Sequence, residues 1–201
     1  MKTRFYLIRH GETEWNTRGI YQGLTDIPLS EKGEKQAEYL GKRFQNKTLK
    51  VDAIYSSPLQ RAVKTAEGIA KAKGLTVIPY EHFKEINFGE WEGHTVKELT
   101  ETYSFPGEGS FTSVKKRSVE GFYQLLEKHK GQAVAIVSHG GILRVLIMAL
   151  LDMDETFYRK TWLSNTAISV VDVSDSGKIV LLTLNDFAHL EEMEEEQGEK
   201  T

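Results

Sequence analysis

Ala133-Val134-Ala135-Ile136-Val137-Ser138-His139-Gly140-Gly141 is the stretch on which the reading of the fold turns. Its first five residues are apolar without alternation, the pattern of a strand covered on both faces, as in a parallel sheet. Two polar residues and two glycines end the run. Ile142 to Leu151 then reads as a strongly apolar helix of the kind that fills a core. A buried strand passing through a glycine turn into a buried helix is one unit of an α/β layered fold.

Outward from there the same alternation recurs. Val114 to His129 is amphipathic through Val119, Phe122, Leu125 and Leu126. Leu75 to Tyr80 reads as a strand. Pro58 opens a helix with Leu59, Ala62, Val63, Ala66, Ile69 and Ala70 on one side, and Gly74 closes it. Val51 to Tyr55 and Phe5 to Ile8 are further strands, and Ser30 is an N-cap for a helix with Ala37, Leu40 and Phe44 on its apolar side. Downstream, strands at Ala167–Val173 and Ile179–Leu184 are joined by the hairpin signal Asp175-Ser176-Gly177. His10 to Leu29 fits neither period, and Glu85 to Phe111 reads as loop with a short helix over Val96–Thr102. The expected fold is α/β: three layers, a mostly parallel central sheet with helices on both faces, and an antiparallel edge. Residues 1–190 form a single domain in this reading, and 191–201 a tail.

Composition narrows the function classes. The 201 residues include no cysteine, which excludes disulfides, thiolate metal sites and cysteine nucleophiles and fits a reducing compartment. The net charge is −3, and the tail after Leu190 holds six glutamates and one lysine, so the remainder is only slightly basic. That is no footprint for nucleic acid. No segment has the length of a membrane span or a signal peptide. The expectation is a soluble, cytoplasmic protein.

In parallel sheets ligands bind beyond the carboxyl ends of the strands. Those points read Arg9-His10-Gly11-Glu12, Ser56-Ser57-Pro58-Leu59-Gln60-Arg61, Glu85-Ile86-Asn87-Phe88-Gly89-Glu90 and Ser138-His139-Gly140-Gly141. Two guanidiniums and a protonated imidazole would make a cavity for a tetrahedral anion, because arginine stays charged and donates paired hydrogen bonds. A histidine neutral on its attacking nitrogen could act there as a nucleophile towards phosphorus. A carboxylic acid at the rim could protonate the departing alkoxide and then activate water. Taken singly, each residue has an ordinary explanation: Arg61 as the charged side of an amphipathic helix, Glu85 as a solvated glutamate, Arg9-His10-Gly11 as a chance match. His139 is the more telling, since a polar residue after a fully apolar strand needs a reason. His82, His94, His129 and His189 lie in polar contexts and read as surface histidines, while Trp15, Trp91 and Trp162 read as packing residues.

The conjunction resembles the histidine phosphatase superfamily, also called the phosphoglycerate mutase-like family, from Tyr6 to about Val173. The matching blocks are Leu7-Ile8-Arg9-His10-Gly11-Glu12-Thr13 with Trp15-Asn16, Gly23-Leu24-Thr25-Asp26 with Pro28-Leu29-Ser30, and Ser56-Ser57-Pro58-Leu59-Gln60-Arg61-Ala62. Glu85 with Phe88-Gly89-Glu90-Trp91-Glu92-Gly93, and Val137-Ser138-His139-Gly140-Gly141, complete the set. The resemblance implies a phosphoglycerate mutase-like fold, His10 as the phosphorylated nucleophile, Arg9, Arg61 and His139 as the phosphate pocket, and Glu85 as proton donor. It further implies phosphate contacts from Asn16 and the backbone of Gly140, substrate contacts from Gln22 and Gly23, no metal and no cofactor. The implied partner is a small phosphorylated metabolite: a sugar phosphate, phosphoglycerate, phosphoserine, α-ribazole phosphate or an aryl phosphate.

Two departures stand out. Pro106-Gly107-Glu108-Gly109-Ser110 exchanges a glycine and a glutamate relative to the family's usual order, and only 23 residues lie between Glu85 and Gly109. A short overhang implies an open site, which favours a hydrolase over a mutase, since a mutase must keep its phosphoenzyme from water. Mutase action and a catalytically silent phospho-ligand module remain the competing readings. A metal site on His10 and His139 would lack the local ligand spacing zinc prefers. Phe105, Phe111 and Tyr103 could wall the pocket or belong to the core. Oligomeric state is not written in the sequence.

Overall fold

The computed structural model describes residues 1–95, 107–108 and 110–193. One six-stranded sheet runs through it: β1 (Lys2–Arg9), β2 (Ala53–Ser56), β3 (Val77–Pro79), β4 (Ala133–Ser138), β5 (Ile168–Ser174) and β6 (Ile179–Asp186), in the spatial order β3-β2-β4-β1-β5-β6. Strands β3, β2, β4 and β1 pair in parallel, while β5 is antiparallel to β1 and β6 to β5. The expected mostly parallel sheet with an antiparallel edge is what forms.

Strand periodicity explains the layers. Every residue of β4 is buried, and its side chains divide by parity because successive side chains point to opposite faces. Val134 and Ile136 join the cluster containing Phe122, Leu143 and Leu146. Ala133, Ala135 and Val137 join the one containing Leu40, Ala62 and Ala66. In β1, Phe5 and Leu7 serve the first cluster and Tyr6 and Ile8 the second. The helices α4 (Phe111–Lys128) and α5 (Gly140–Leu150) therefore cover one face, and α2 (Glu31–Phe44) and α3 (Gln60–Lys73) the other. Each large aliphatic side chain removed from water in this way stabilises the fold by roughly 1.5–3 kcal/mol.

Several boundaries are set by side chains rather than periodicity. Ser30 caps α2 as expected, its Oγ accepting from Gly33 N at 3.1 Å. Helix α3 starts two residues after Pro58, where Asp26 Oδ1 accepts from Gln60 N at 2.8 Å, a partner 34 positions away that no local pattern reveals. Helix α4 starts at Phe111 because Ser110 Oγ accepts from Ser113 N. Two short helices were not expected: α1 (Glu14–Thr17), closed by a Thr13–Asn16 capping box, and α6 (Glu155–Lys160), capped by Asp154. Neither has a buried residue, so neither carries an apolar period to read.

Phe111 is core, packed with Ile86, Phe88 and Val114. The short helix over 96–102, Tyr103 and Phe105 lie outside the described residues. His189 is not a surface histidine: in the 3₁₀ turn Ala188–Leu190 it is 7% exposed and bonded to Thr166. Its neighbours Leu190 and Met193 pack on Tyr39 of α2. His129, half-buried, meets the Tyr55 hydroxyl through Nε2 at 2.9 Å. Among the described residues no helix is long and apolar enough to cross a membrane.

Candidate active site

Register brings the candidate residues together. Strands β1 and β4 pair so that Arg9 lies opposite Ser138. The next residues, His10 and His139, thus leave adjacent strands side by side, with ring centroids 5.0 Å apart. On the other side of β4, Ser56 pairs with Val137 and sends the chain towards Arg61. Strand β3 pairs with β2 and leads to Glu85. All four strand ends converge on one edge of the sheet.

The two imidazoles are locked in different tautomers. His10 Nδ1 lies 2.6 Å from Gly11 O. A carbonyl only accepts, so Nδ1 carries the proton and Nε2 keeps its lone pair. At His139 the roles reverse: Arg61 Nε donates to Nδ1 at 3.2 Å, which leaves Nε2 to donate to Ser57 Oγ at 2.7 Å. Burial, reinforced by the nearby guanidiniums, holds both rings well below the usual histidine range. The expected protonated imidazole is therefore corrected to a neutral one, and the positive charge rests on the arginines alone.

Arg61 is 1% exposed rather than on the solvated side of its helix, and Arg9 is 6% exposed. Burial lowers each to about 10, which leaves both charged at neutral pH. Arg61 donates to Thr25 O (2.8 Å) and Gly23 O (2.7 Å). Arg9 Nη1 donates to Leu163 O at 2.6 Å, while its buried Nε has no partner among the described residues. Glu85 is the acidic group that acts most strongly on both buried cations, with Glu12 adding at Arg9 and Asp26 and Glu92 at Arg61, yet burial still outweighs them. A buried charge without full compensation is costly, so the site is built to accept an anion.

Glu85 does not sit at the rim. It is 8% exposed and sits against the first turn of α5. Its Oε1 accepts from Ile142 N and Ile86 N, both at 2.9 Å, and Oε2 accepts from Gly141 N at 3.1 Å. The paired glycines make this approach possible. A Cβ on Gly141 would fall 2.6 Å from Glu85 Oε1, and one on Gly140 would fall 3.3 Å from Arg9 Nε.

A cavity of about 420 Å³ opens over these groups, bounded by Arg9, Asn16, Gln22, Gly23, Glu85 and Gly140 among the expected residues. His10, His139 and Arg61 are not among the residues that line it and are 3%, 0% and 1% exposed. Asn16 Oδ1 accepts from Thr13 N at 3.1 Å as part of the α1 cap. Gln22 Oε1 is buried without a partner among the described residues. Gly23 has φ +52, and a Cβ there would strike Glu92 Oε1 at 2.0 Å.

Sequence reasoning missed several contributors. Glu92 accepts from Leu24 N and Thr25 N, each at 3.0 Å, and from Thr25 Oγ1 at 2.6 Å. It thereby holds the loop whose carbonyls grip Arg61. Arg144, the lone charge in Ile142–Leu151, was a readable signal; it donates to Gly140 O, Tyr158 O and Thr161 O and lies 4.0 Å over the Tyr158 ring. Trp162 is not a packing residue: it is 65% exposed, with the Arg9 guanidinium 5.0 Å from its ring centroid. The displaced Glu108 pairs with Arg117 Nε at 2.8 Å, and Arg117 in turn donates to the carbonyls of His82, Lys84 and Glu85.

Comparison with known proteins finds relatives of the same family and fold. A family model described as the histidine phosphatase superfamily (branch 1) matches residues 5–186. Phosphoserine phosphatase 1 of Hydrogenobacter thermophilus is 38% identical, over 94% of this chain and 95% of that protein. A probable phosphoglycerate mutase, GpmB, of Salmonella choleraesuis is 32% identical, over 92% of this chain and 94% of its own length. The crystal structure of a phosphoserine phosphatase mutant from Entamoeba histolytica, in complex with phosphoserine, superposes with a TM-score of 0.84 at 36% identity, covering 94% of this chain and 99% of that one.

Proposed function

The chain belongs to branch 1 of the histidine phosphatase superfamily, and from that premise we propose that it hydrolyses phosphomonoesters of small metabolites through a phosphohistidine at His10. One observation carries the reading. The bond from Nδ1 to Gly11 O leaves Nε2 of a neutral His10 with its lone pair, in the field of two buried guanidiniums. That is the protonation state and electrostatic setting a nitrogen nucleophile towards phosphorus requires.

In the first step His10 Nε2 bonds to phosphorus in line with the departing oxygen, and the P–O ester bond breaks. Glu85 enters this step as the carboxylic acid and gives its proton to the leaving alkoxide, becoming the carboxylate that the N–H groups of Ile86, Gly141 and Ile142 hold. In the second step water attacks phosphorus, the N–P bond breaks, and Glu85 receives the proton released by the water. Arg9 and Arg61 counter the charge on the transferred group, with the unpartnered Arg9 Nε as the donor not yet engaged. Asn16, Gln22, Gly23 and Gly140 all line the cavity, Asn16 and Gly140 as the proposed phosphate contacts and Gln22 and Gly23 as the proposed substrate contacts. The orphaned Gln22 Oε1 suits a hydroxyl or ammonium on the leaving group. The similarity to phosphoserine phosphatases makes phosphoserine the first substrate to assay. Similarity to a probable phosphoglycerate mutase keeps phosphoryl retention as the second reading. The lack of cysteine supports a cytoplasmic setting.

The test is direct. Brief exposure of the protein to labelled phosphoserine or an aryl phosphate should leave acid-labile label on the wild type. The His10→Ala variant should carry no label and show no turnover. Full activity in that variant would overturn the assignment.

A further inference from the structure

Thr166 has φ +57, a left-handed backbone that is a true outlier for a β-branched residue. Such strain persists only where surrounding contacts enforce it. Here they do. Thr166 N donates to Arg9 O at 3.0 Å and to His10 O at 3.3 Å. The preceding Asn165 donates through Nδ2 to His10 O at 2.9 Å and to Asn16 Oδ1 at 3.3 Å. Three donations from two adjacent residues thus hold the main chain on which the nucleophile is mounted.

The other side of Thr166 is held by the 3₁₀ turn Ala188–Leu190. Its Oγ1 donates to Asn165 O at 2.7 Å and so accepts from His189 Nε2 at 2.9 Å. His189 Nδ1 is buried without a partner among the described residues, so Thr166 is the one bond its imidazole makes there. The turn that carries His189 is fixed in place: Asp186 Oδ1 accepts from Ala188 N at 3.1 Å and from Arg43 Nη1 at 3.0 Å.

We infer that His189 is a positioning residue for the reaction, acting through Thr166 to fix the main chain of His10 and hence the aim of its Nε2. His189 does not border the cavity, and its effect falls on alignment rather than on binding. Misalignment of a nucleophile slows the chemical step and leaves ground-state binding largely intact.

The inference rests on the phosphatase reading for its activity assay, and a second measurement stands without it. In the full chain, Thr166→Val and His189→Leu should each lower kcat by about tenfold or more with KM changed less than about twofold. The double variant should lose no more than the worse single one, because the two residues act in one chain of bonds. His189→Gln, whose side-chain amide can donate to Thr166 Oγ1, should restore most of the rate. Independently of turnover, Trp162 fluorescence can report binding of two inorganic anions. Vanadate, which takes a fifth ligand from an in-line nucleophile, should bind the variants about tenfold more weakly, while phosphate binds them as it binds the wild type. Equal weakening of both anions, unchanged kcat, additive losses, or a Gln variant no better than Leu would overturn the inference. A wild type that binds both anions but turns over nothing would count against the phosphatase reading, and the vanadate-to-phosphate ratio would still decide the role of His189. Should His189→Leu fail to fold, Thr166→Val and His189→Gln give the same contrasts.

Discussion

At His10 one hydrogen bond and one electrostatic setting decide the chemistry. The bond to Gly11 O selects the tautomer, and burial beside Arg61 and Arg9 keeps the ring neutral well below its usual range. A titration followed by histidine NMR should find the His10 and His139 rings neutral at about pH 6, where a free imidazole with pKa about 6.5 is largely protonated. The same shift has a sign for stability. Below about pH 6.5 the unfolded chain binds protons that the buried imidazoles refuse, so stability falls as pH falls through that range. His189, lowered to about 4 chiefly by burial, adds to this slope down to about that value. Urea unfolding at a series of pH values should show the midpoint falling from neutral towards acid, and less steeply in His189→Gln. A midpoint that rises on acidification would contradict the assignment of neutral buried rings.

Among the elements, the β4–α5 unit does most to assemble the site. It supplies His139, places Gly140 at the cavity wall, and offers the first N–H groups of α5 to Glu85. Helix termini leave such donors unpaired within the helix, and here the carboxylate of a distant loop takes them. Gly141→Ala should therefore be far more damaging than an alanine in a helix normally is, since its Cβ would fall 2.6 Å from Glu85 Oε1. The expected result is a fall in kcat of about 10² or more, the scale of lost acid catalysis, with the variant still folded by circular dichroism. An active Gly141→Ala enzyme would mean that Glu85 need not be held against the helix.

On the scale of the whole molecule, a parallel sheet gathers four loops that are far apart in sequence, and the resulting charge is positive where the substrate phosphate would lie. Two guanidiniums supply what a divalent cation would otherwise bring to phosphoryl transfer. Turnover should thus be unaffected by a strong chelator, and 3-phosphoglycerate should release inorganic phosphate without forming its isomer. Activity that vanishes on chelation would refute the first expectation, and isomer formation the second. Much of this was legible beforehand. Buried strands announce themselves by uninterrupted apolar runs, and the residues at their ends, His10, Arg61, Glu85 and His139, could be found by position because strand order dictates which ends meet. What periodicity could not supply were features without a period: the short exposed helices α1 and α6, the burial of His189, and the exposed Trp162 over Arg9. Local sequence sets which face of an element is apolar, and so the layers and the edge where chemistry sits. Protonation states, the placement of Glu85 on a helix start and the hold of the C-terminal turn on His10 are decided by distant groups in three dimensions, because desolvation and hydrogen-bond partners exist only once the chain has closed around them.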